Sequence, residues 1–374
     1  MRQFNKKFDK APPAVIPAVL EKSTDSQTAL KEKQPVKKSN TESKKKNEVY
    51  AGFGKIKFDG LLQGWFTDGD HNSKGSFRIR RAELKLTGQL TPKVKWTVMI
   101  DPSKKLKVKN SIDTINNIDV LTDTTIDQKS RILQDAYISL GYLKNANIDI
   151  GQRKIPLSLE GLQSSSALGT VERSLFNSAG KIGGIRDIGI MAYGPLGKHF
   201  NYQIGVFNGT GELQNLTDTN EQKSVIGRFV VSPPFIKGLK IGASGALSNA
   251  DSITNPRRDR ADAKVLYVNG NFNFQSEVMG AVDGDIHRLG YYTHFGYKIR
   301  PKVEAIFRFD SYDPNRRGET NSSNATERDY VVGVNYFIKN EKNVKLQFNY
   351  VRKTFNHSFK SSRNLFLANL QTAW

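Results

Sequence analysis

Between residue 54 and the last residue, Trp374, apolar and polar side chains alternate in one short run after another. In one of the clearest runs, Val94, Trp96 and Val98 alternate with polar or smaller neighbours. Such alternation predicts β-strands with one apolar face and one polar face. Sixteen runs fit this pattern, at residues 54–66, 76–88, 93–101, 131–143, 147–155, 186–195, 199–208, 223–232, 239–248, 263–270, 272–281, 286–299, 302–312, 328–338, 343–354 and 364–374.

The connections between these runs also alternate in length. Tight turns such as Gly197-Lys198 and Asn269-Gly270 follow the even-numbered runs. Longer polar stretches follow the odd-numbered runs, at residues 102–130, 156–185, 249–262 and 313–327. Short turns at one end and long loops at the other are typical of an outer-membrane barrel. We therefore expect an all-β fold, a 16-stranded antiparallel transmembrane β-barrel. A soluble β-sandwich is the alternative, but nothing in that fold would place short turns at one end and long loops at the other.

The stretch 156–185 is unusual among these loops because it is long and contains apolar side chains such as Leu157, Leu168 and Phe176. A loop of this length is usually functional or disordered. Its apolar residues favour burial, so we expect it to fold back into the barrel interior. In strand order it is the third long loop.

The composition is compatible with such a barrel. The mean hydropathy is −0.52, and no uncharged run reaches the ~18 residues of a membrane-spanning helix. The strands of a membrane barrel do not form such runs, because inward polar residues alternate with outward apolar ones and lower the mean hydropathy. The chain has no cysteine and a net charge of +21, which excludes disulfides and thiolate sites and indicates an anionic partner.

Residues 1–48 differ from the rest of the chain. They carry 12 Lys and Arg against 6 Asp and Glu, and their polar composition predicts a basic, disordered N-terminal segment. Ala11 to Leu20 is apolar, but three prolines would break its helix, so we do not expect a signal peptide there. We expect residues 49–374 to form the transmembrane β-barrel domain, which holds the larger part of the positive charge.

An ordered series of motifs resembles the phosphate-selective porin O and P family. The series comprises Phe77 to Leu84, Trp96 to Asp101, Gln152 to Pro156 with Glu160, Glu172-Arg173-Ser174, Arg186 to Gly189 and Gly205 to Gly209. The resemblance implies a homotrimeric porin of the bacterial outer membrane whose third extracellular loop enters the lumen. It also implies outer-membrane lipid around the barrel and phosphate or other small anions as permeant partners. The last strand, ending at Trp374, looks like the strand by which such proteins reach their assembly machinery.

The parity of the strands sorts the charged residues between lumen and lipid. In residues 76–88 the apolar parity changes between Arg80 and Arg81, which predicts a β-bulge that turns Arg78, Arg80 and Arg81 toward the lumen. An alternative is that Arg78 and Arg80 lie at the extracellular rim. An arginine facing lipid near the midplane costs about 2–4 kcal/mol, so we favour the lumen.

We predict a basic pore lining that binds anions. Its wall residues are Arg78, Arg80, Arg81, Lys95, Arg153, Arg228, Arg308 and Lys345, with inward carboxylates such as Asp101, Asp135, Asp149, Glu277 and Glu304 among them. Its loop residues are Ser164, Ser165, Glu172, Arg173 and Lys181. Rings of Arg and Lys are how anion pores select. We expect Glu160 and Glu172 to hold the loop to wall arginines such as Arg153 or Arg186 rather than to contact ions.

Other functions have weaker support in the sequence. The five histidines lack metal-ligand spacing, so we expect no metal site and no cofactor. A serine hydrolase would need Ser244 or Ser276 beside His294, and we do not expect an enzyme. The basic residues are spread over sixteen runs, so we expect no nucleic-acid binding. A general, weakly selective porin and a basic soluble β protein that binds polyanions stay as alternatives to an anion-selective porin.

Overall fold

A computed structural model describes residues 48–51, 54–70, 75–104, 107–115, 118–127, 132–209, 222–248, 257–318, 324–339, 343–358 and 360–374. Its strands are β1 (Glu48–Ala51), β2 (Gly54–Gly69), β3 (Ser76–Thr91), β4 (Val94–Ile100), β5 (Lys107–Ile115), β6 (Ile118–Asp127), β7 (Leu133–Leu143), β8 (Ala146–Lys154), β9 (Arg186–Leu196), β10 (Phe200–Phe207), β11 (Ser224–Val231), β12 (Leu239–Leu247), β13 (Arg258–Asn269), β14 (Phe272–Asp283), β15 (Ile286–Arg300), β16 (Val303–Asp313), β17 (Glu327–Lys339), β18 (Val344–Phe355) and β19 (Arg363–Ala373). Of the predicted N-terminal segment, residues 1–47 lie outside the described part, and Glu48 begins β1.

Sixteen of these strands form one closed antiparallel barrel. Each of β2–β4 and β7–β19 pairs with its neighbour along the chain, and the last strand closes the barrel on the first, with Leu370 opposite Gly64. The predicted 16-stranded antiparallel fold is therefore confirmed. Closure leaves no open edge in the wall, so the backbone polar groups of the strands are satisfied between neighbours.

The two faces of the wall have opposite character because side chains alternate along each strand. Outward positions carry exposed apolar residues, among them Phe77, Ile190 and Phe348. Inward positions carry buried polar residues such as Gln347 and Gln371. This pattern matches a barrel surrounded by lipid on the outside and lined by polar groups on the inside.

The connections differ from the prediction at three places. On the long-loop side, only residues 284–285 separate β14 from β15. Strand β13 begins at Arg258, inside the predicted loop 249–262. The stretch 102–130, predicted as a polar loop, contains the hairpin β5–β6, a separate two-stranded sheet in which Ile115 pairs with Ile118. In the sequence, the asparagine pair at 116–117 separates the two strands, and asparagine favours the tight turns of β-hairpins.

Helices are short and lie between β8 and β9. They are α1 (Leu159–Leu162), a 3-10 turn (Ser165–Ala167) and α2 (Leu175–Ser178). Within the ranges that the structure describes, no helix is long and apolar enough to cross a membrane.

Candidate functional site

Residues 155–185, here called the inward loop, fill part of the barrel lumen. Leu157, Phe176 and Ile182 of the loop form one buried cluster with inward residues of the wall such as Met191 and Tyr292. The approach is close at Gly290, where an added Cβ would lie 2.5 Å from Phe176 Cβ. The apolar residues of the loop therefore do what the sequence predicts, since burying them against the wall stabilises the inward position.

Polar side chains of the wall complete the docking of the loop. Glu277 on β14 accepts hydrogen bonds from the Leu159 amide at 2.6 Å and from the Ser158 hydroxyl at 3.1 Å. The Arg308 guanidinium on β16 donates to Glu160 Oε1 at 3.2 Å and to Thr170 Oγ1 at 2.8 Å. These wall groups satisfy backbone and side-chain atoms that a buried loop would otherwise leave unpaired.

Further anchors come from the same part of the wall. They are Ser244 and Lys264, which donate to the Leu157 carbonyl, Asp310, which accepts from the Leu175 amide, Asn335 and Gln347, which donate to the Gly169 carbonyl, Lys345, which donates to the Leu168 carbonyl, and Asn349, which accepts from the Val171 amide. All of these side chains lie on strands β12 to β18. We call the lumen face of these strands the anchoring side.

On the opposite side, the loop and the wall leave a cavity of about 630 Å³, which we call the constriction cavity. Its charged lining residues are Asp59, Arg80, Arg81, Glu83, Lys85, Lys104, Asp135, Lys154, Glu172, Arg173, Lys181 and Arg186. Eight of these side chains are basic and four acidic, a formal excess of four positive charges. The wall part of the cavity lining lies on β2, β3, β4, β7, β8, β9 and β19 and in the connection after β4, and we call it the passage side.

The bulge predicted in β3 is present and shapes this cavity. Gln63 of β2 pairs with Arg81 and Gly64 pairs with Ile79, so Arg80 is the extra residue of the bulge. The extra residue puts two consecutive arginines on the lumen side. Arg81 donates to Gln63 Oε1 at 2.7 Å, and its side chain is buried.

The Arg80 guanidinium lies between the wall and the loop. It stacks over the Trp65 ring at 5.1 Å from the ring centroid, and its Nη2 atom lies 3.3 Å from Glu172 Oε2. Burial raises the pKa of the Glu172 carboxyl, but the charges of Arg80 and Arg81 and the Arg173 amide outweigh it and hold that pKa below its usual value. Glu172 is therefore ionised at neutral pH.

Lys104 and Arg186 extend the basic lining. Burial lowers the pKa of the Lys104 ammonium to about 8; Asp101 opposes this shift, whereas Arg186, Arg81 and Arg80 add to it. Arg186 pairs with Asp135 at 2.6 Å. Burial is the main cause of the lowered pKa of Lys104, and the three arginines add to it because like charges disfavour the protonated ammonium.

Seven of the predicted residues line the constriction cavity: Arg80, Arg81, Ser164, Ser165, Glu172, Arg173 and Lys181. Four others face the lumen away from it. Arg78 lies exposed over the Trp65 ring, Lys95 is exposed near the turn before β4, Arg153 pairs with Asp149 and stacks on Tyr137 and Tyr193, and Arg228 donates to Gln203 Oε1 at 3.1 Å.

Two predicted pore-lining residues, Arg308 and Lys345, belong to the anchoring side instead. Their exposed fractions are 4% and 2%, because the inward loop covers both. Parity correctly placed them inside the barrel, but it could not show where the loop would dock. The prediction that they line the passage is therefore corrected: they hold the loop.

Glutamates of the loop do contact wall arginines, although the expected partners were wrong. Glu160 pairs with Arg308 and Glu172 pairs with Arg80, rather than with Arg153 or Arg186. Lys104 and Lys154 also line the cavity, and the sequence did not predict them. Lys154 ends a strand and donates to the Gly161 carbonyl at 2.6 Å, and neither residue carries a parity signal that points inward.

Other kinds of site have no support in the described residues. No group of three or more His, Cys, Asp or Glu there has an arrangement that could hold a metal ion. The Ser244 hydroxyl bonds to Asp262 and the Ser276 hydroxyl to the Tyr292 carbonyl, so neither hydroxyl uses His294 as its partner.

Comparisons with known proteins agree with this architecture. Solved structures similar to this chain include an anion-selective porin from Comamonas acidovorans (12% identity, 85% of this chain and 99% of that chain, TM-score 0.54). Others are OmpT of Vibrio cholerae in its trimer form (9%, 86% and 99%, TM-score 0.56) and OmpF of Salmonella typhi in complex with daunomycin (12%, 87% and 100%, TM-score 0.61). These likenesses show the fold. No curated protein matches the chain.

The family comparison covers most of the barrel. The model of the family described as phosphate-selective porin O and P matches residues 56–247 and 243–370. Both the fold and this family are those of channels rather than enzymes. The chain therefore belongs to the phosphate-selective porin O and P family and is a porin of the bacterial outer membrane.

Proposed function

We propose that this porin gives small anions, phosphate or similar oxyanions among them, a passive and selective path through the constriction cavity. The observation that carries the proposal is the excess of four positive charges in the cavity lining. A cavity between low-dielectric walls concentrates the field of its charges, which raises the local concentration of anions and excludes cations. The anion-selective porin among the similar structures is consistent with this function.

The chemistry of the lining suits oxyanions. Guanidinium groups such as that of Arg80 offer planar N–H pairs that match carboxylate and phosphate oxygens. The exposed hydroxyl of Ser164 and the ammonium groups of Lys85 and Lys181 add donors along the same cavity. Several weak sites replace part of the hydration shell of an anion without trapping it, and this is the condition for conduction.

The proposal includes a homotrimer, embedded in outer-membrane lipid and assembled through the C-terminal strand. One of the similar solved porins is described in trimer form. Aromatic residues near the short turns, such as Trp96 packed on Gly88 and Trp374 packed on Gly60, fit the interfacial girdle of a membrane barrel. Cross-linking of the purified protein and light scattering would give the number of subunits.

Purified protein in a planar bilayer under a potassium chloride gradient tests the function directly. We expect a reversal potential close to that of chloride. A reversal potential near zero would indicate a general, weakly selective porin, and one close to that of potassium would contradict the proposal. Adding phosphate to the chloride solution measures the preference between anions, since a phosphate that binds more tightly reduces the chloride current.

A further inference from the structure

Glu172 makes a loose contact with Arg80 in the lining of the constriction cavity. Both of its carboxylate oxygens face one guanidinium nitrogen, at 3.3 and 3.5 Å, and the two side chains are 28% and 29% exposed. A strong charge-assisted pair has distances of about 2.7–2.9 Å and often uses two parallel N–H donors. The Arg80 guanidinium therefore keeps donor capacity that Glu172 does not use.

The other glutamate of the inward loop shows what a structural carboxylate looks like here. Glu160 is buried; its Oε2 accepts from the Ser174 amide at 2.7 Å and from Asn177 at 3.3 Å, while its Oε1 pairs with Arg308 at 3.2 Å. Glu172 accepts one further hydrogen bond, at 3.0 Å, from the amide of its own neighbour Arg173. The two ion pairs have nearly the same length, 3.2 and 3.3 Å, but the two glutamates differ in burial and in the number of donors, since Glu160 has three and Glu172 has two.

The backbone of Glu172, unlike its side chain, is firmly held. Its carbonyl accepts from the Thr170 hydroxyl at 2.7 Å and from the Arg308 guanidinium at 3.1 Å. A fixed backbone keeps the carboxylate within reach of Arg80 at all times. The side chain can still turn away, because it is partly exposed to the cavity and its contact with Arg80 is long.

We propose that Glu172 is a tethered counter-ion that occupies Arg80 while the passage is empty and gives way to each permeant anion. This inference rests on the proposed anion-selective function and deepens it, because it identifies a residue that sets how tightly anions bind. A competing carboxylate weakens anion binding at Arg80. Weak binding lets anions leave the site, so the tether favours flux over affinity.

The test compares Glu172→Gln with Glu83→Gln, each also combined with Arg80→Gln. Glu83 is a matched control because it lines the same cavity and loses the same charge, but it lies beside Arg81, at 3.7 Å. The measurement is the chloride concentration that gives half-maximal single-channel conductance. We expect Glu172→Gln to lower this half-saturating chloride concentration by about fivefold, the upper range for a partly exposed ion pair. Arg80→Gln should abolish the shift caused by Glu172→Gln, because the tether then has no partner. Any shift caused by Glu83→Gln should persist when Arg80→Gln is added.

Circular dichroism and thermal unfolding check that each variant is folded. If Glu172→Gln does not fold, Glu172→Asp replaces it; its shorter side chain keeps the charge but loses reach, and we expect a smaller shift in the same direction. An anion-selective wild type with no shift, or with a shift that persists with Arg80→Gln, would overturn the tether and leave the proposed function intact. A cation-selective wild type would overturn both.

Discussion

The anchoring side and the passage side of the lumen use similar residues for different purposes. On the anchoring side, Arg308 and Lys345 are covered by the inward loop and bond to it. On the passage side, Arg80 is 29% exposed and faces the constriction cavity. This difference shows that the position of the loop, rather than the total charge of the wall, determines which basic residues can contact a permeant ion.

The two sides also differ in how their charges affect the stability of the folded protein. A buried charge without its partner is strongly destabilising, so the ions of the anchoring side come in compensated groups such as Arg308 with Glu160 and Asp310. On the passage side, every charged lining residue except Arg81 is at least partly exposed, so solvent in the cavity screens these charges and an excess of one sign is tolerated. Selectivity can therefore arise only where the loop does not cover the wall.

The largest effect should follow from Arg308→Ala. Removing this guanidinium leaves Glu160 and Asp310 buried without it, which we expect to cost about 3–5 kcal/mol and to release the loop from β16. Single-channel conductance should then rise and anion selectivity should fall, because the constriction widens. Thermal unfolding of the barrel and bilayer recordings together measure the two consequences.

Arg228→Ala is the control for this change. Arg228 also faces the lumen, but it bonds to Gln203 of the wall, so its removal should leave the conductance close to that of the wild type. If Arg308→Ala has the wild-type conductance and melting temperature, the loop does not depend on the anchoring side, and the distinction between the two sides is wrong.

On the passage side, Arg80→Gln should reduce selectivity without unfolding the barrel. The side chain is partly exposed, and such charges contribute about 0.2–1 kcal/mol, so the ratio of chloride to potassium permeability should fall by a factor of up to about five. Arg153→Gln is the control, since Arg153 pairs with Asp149 outside the constriction cavity. Equal changes of the permeability ratio in both variants would show that the cavity lining has no special role.

Strand alternation and loop lengths allowed the barrel to be predicted from sequence. Apolar residues with period two must face lipid, and this constraint fixes strand number and parity wherever the pattern is regular. The bulge in β3 could also be predicted, because few backbone geometries other than a bulge produce the parity change between Arg80 and Arg81. The apolar residues of the inward loop were similarly informative.

The docking of the loop could not be predicted in the same way. Glu277, Arg308 and Lys345 have the same inward parity as true cavity residues, and only tertiary contacts distinguish the two groups. Lys104 lies in the connection after β4, where no periodic signal exists. Residues outside regular strands therefore need the structure to be assigned to the passage.

The smallest expected effect concerns the pH dependence of the passage side. Burial and the nearby Arg186, Arg81 and Arg80 lower the pKa of Lys104 to about 8, with Asp101 opposing. Below this value the ammonium adds one charge to the basic excess, and above it that charge is lost, so anion selectivity should decrease between about pH 6.5 and about pH 9.5. Screening by salt should limit the change in permeability ratio to less than about twofold. Reversal potentials at both pH values measure it, and Lys104→Gln should remove the dependence; a variant that keeps it would assign the titration to another group.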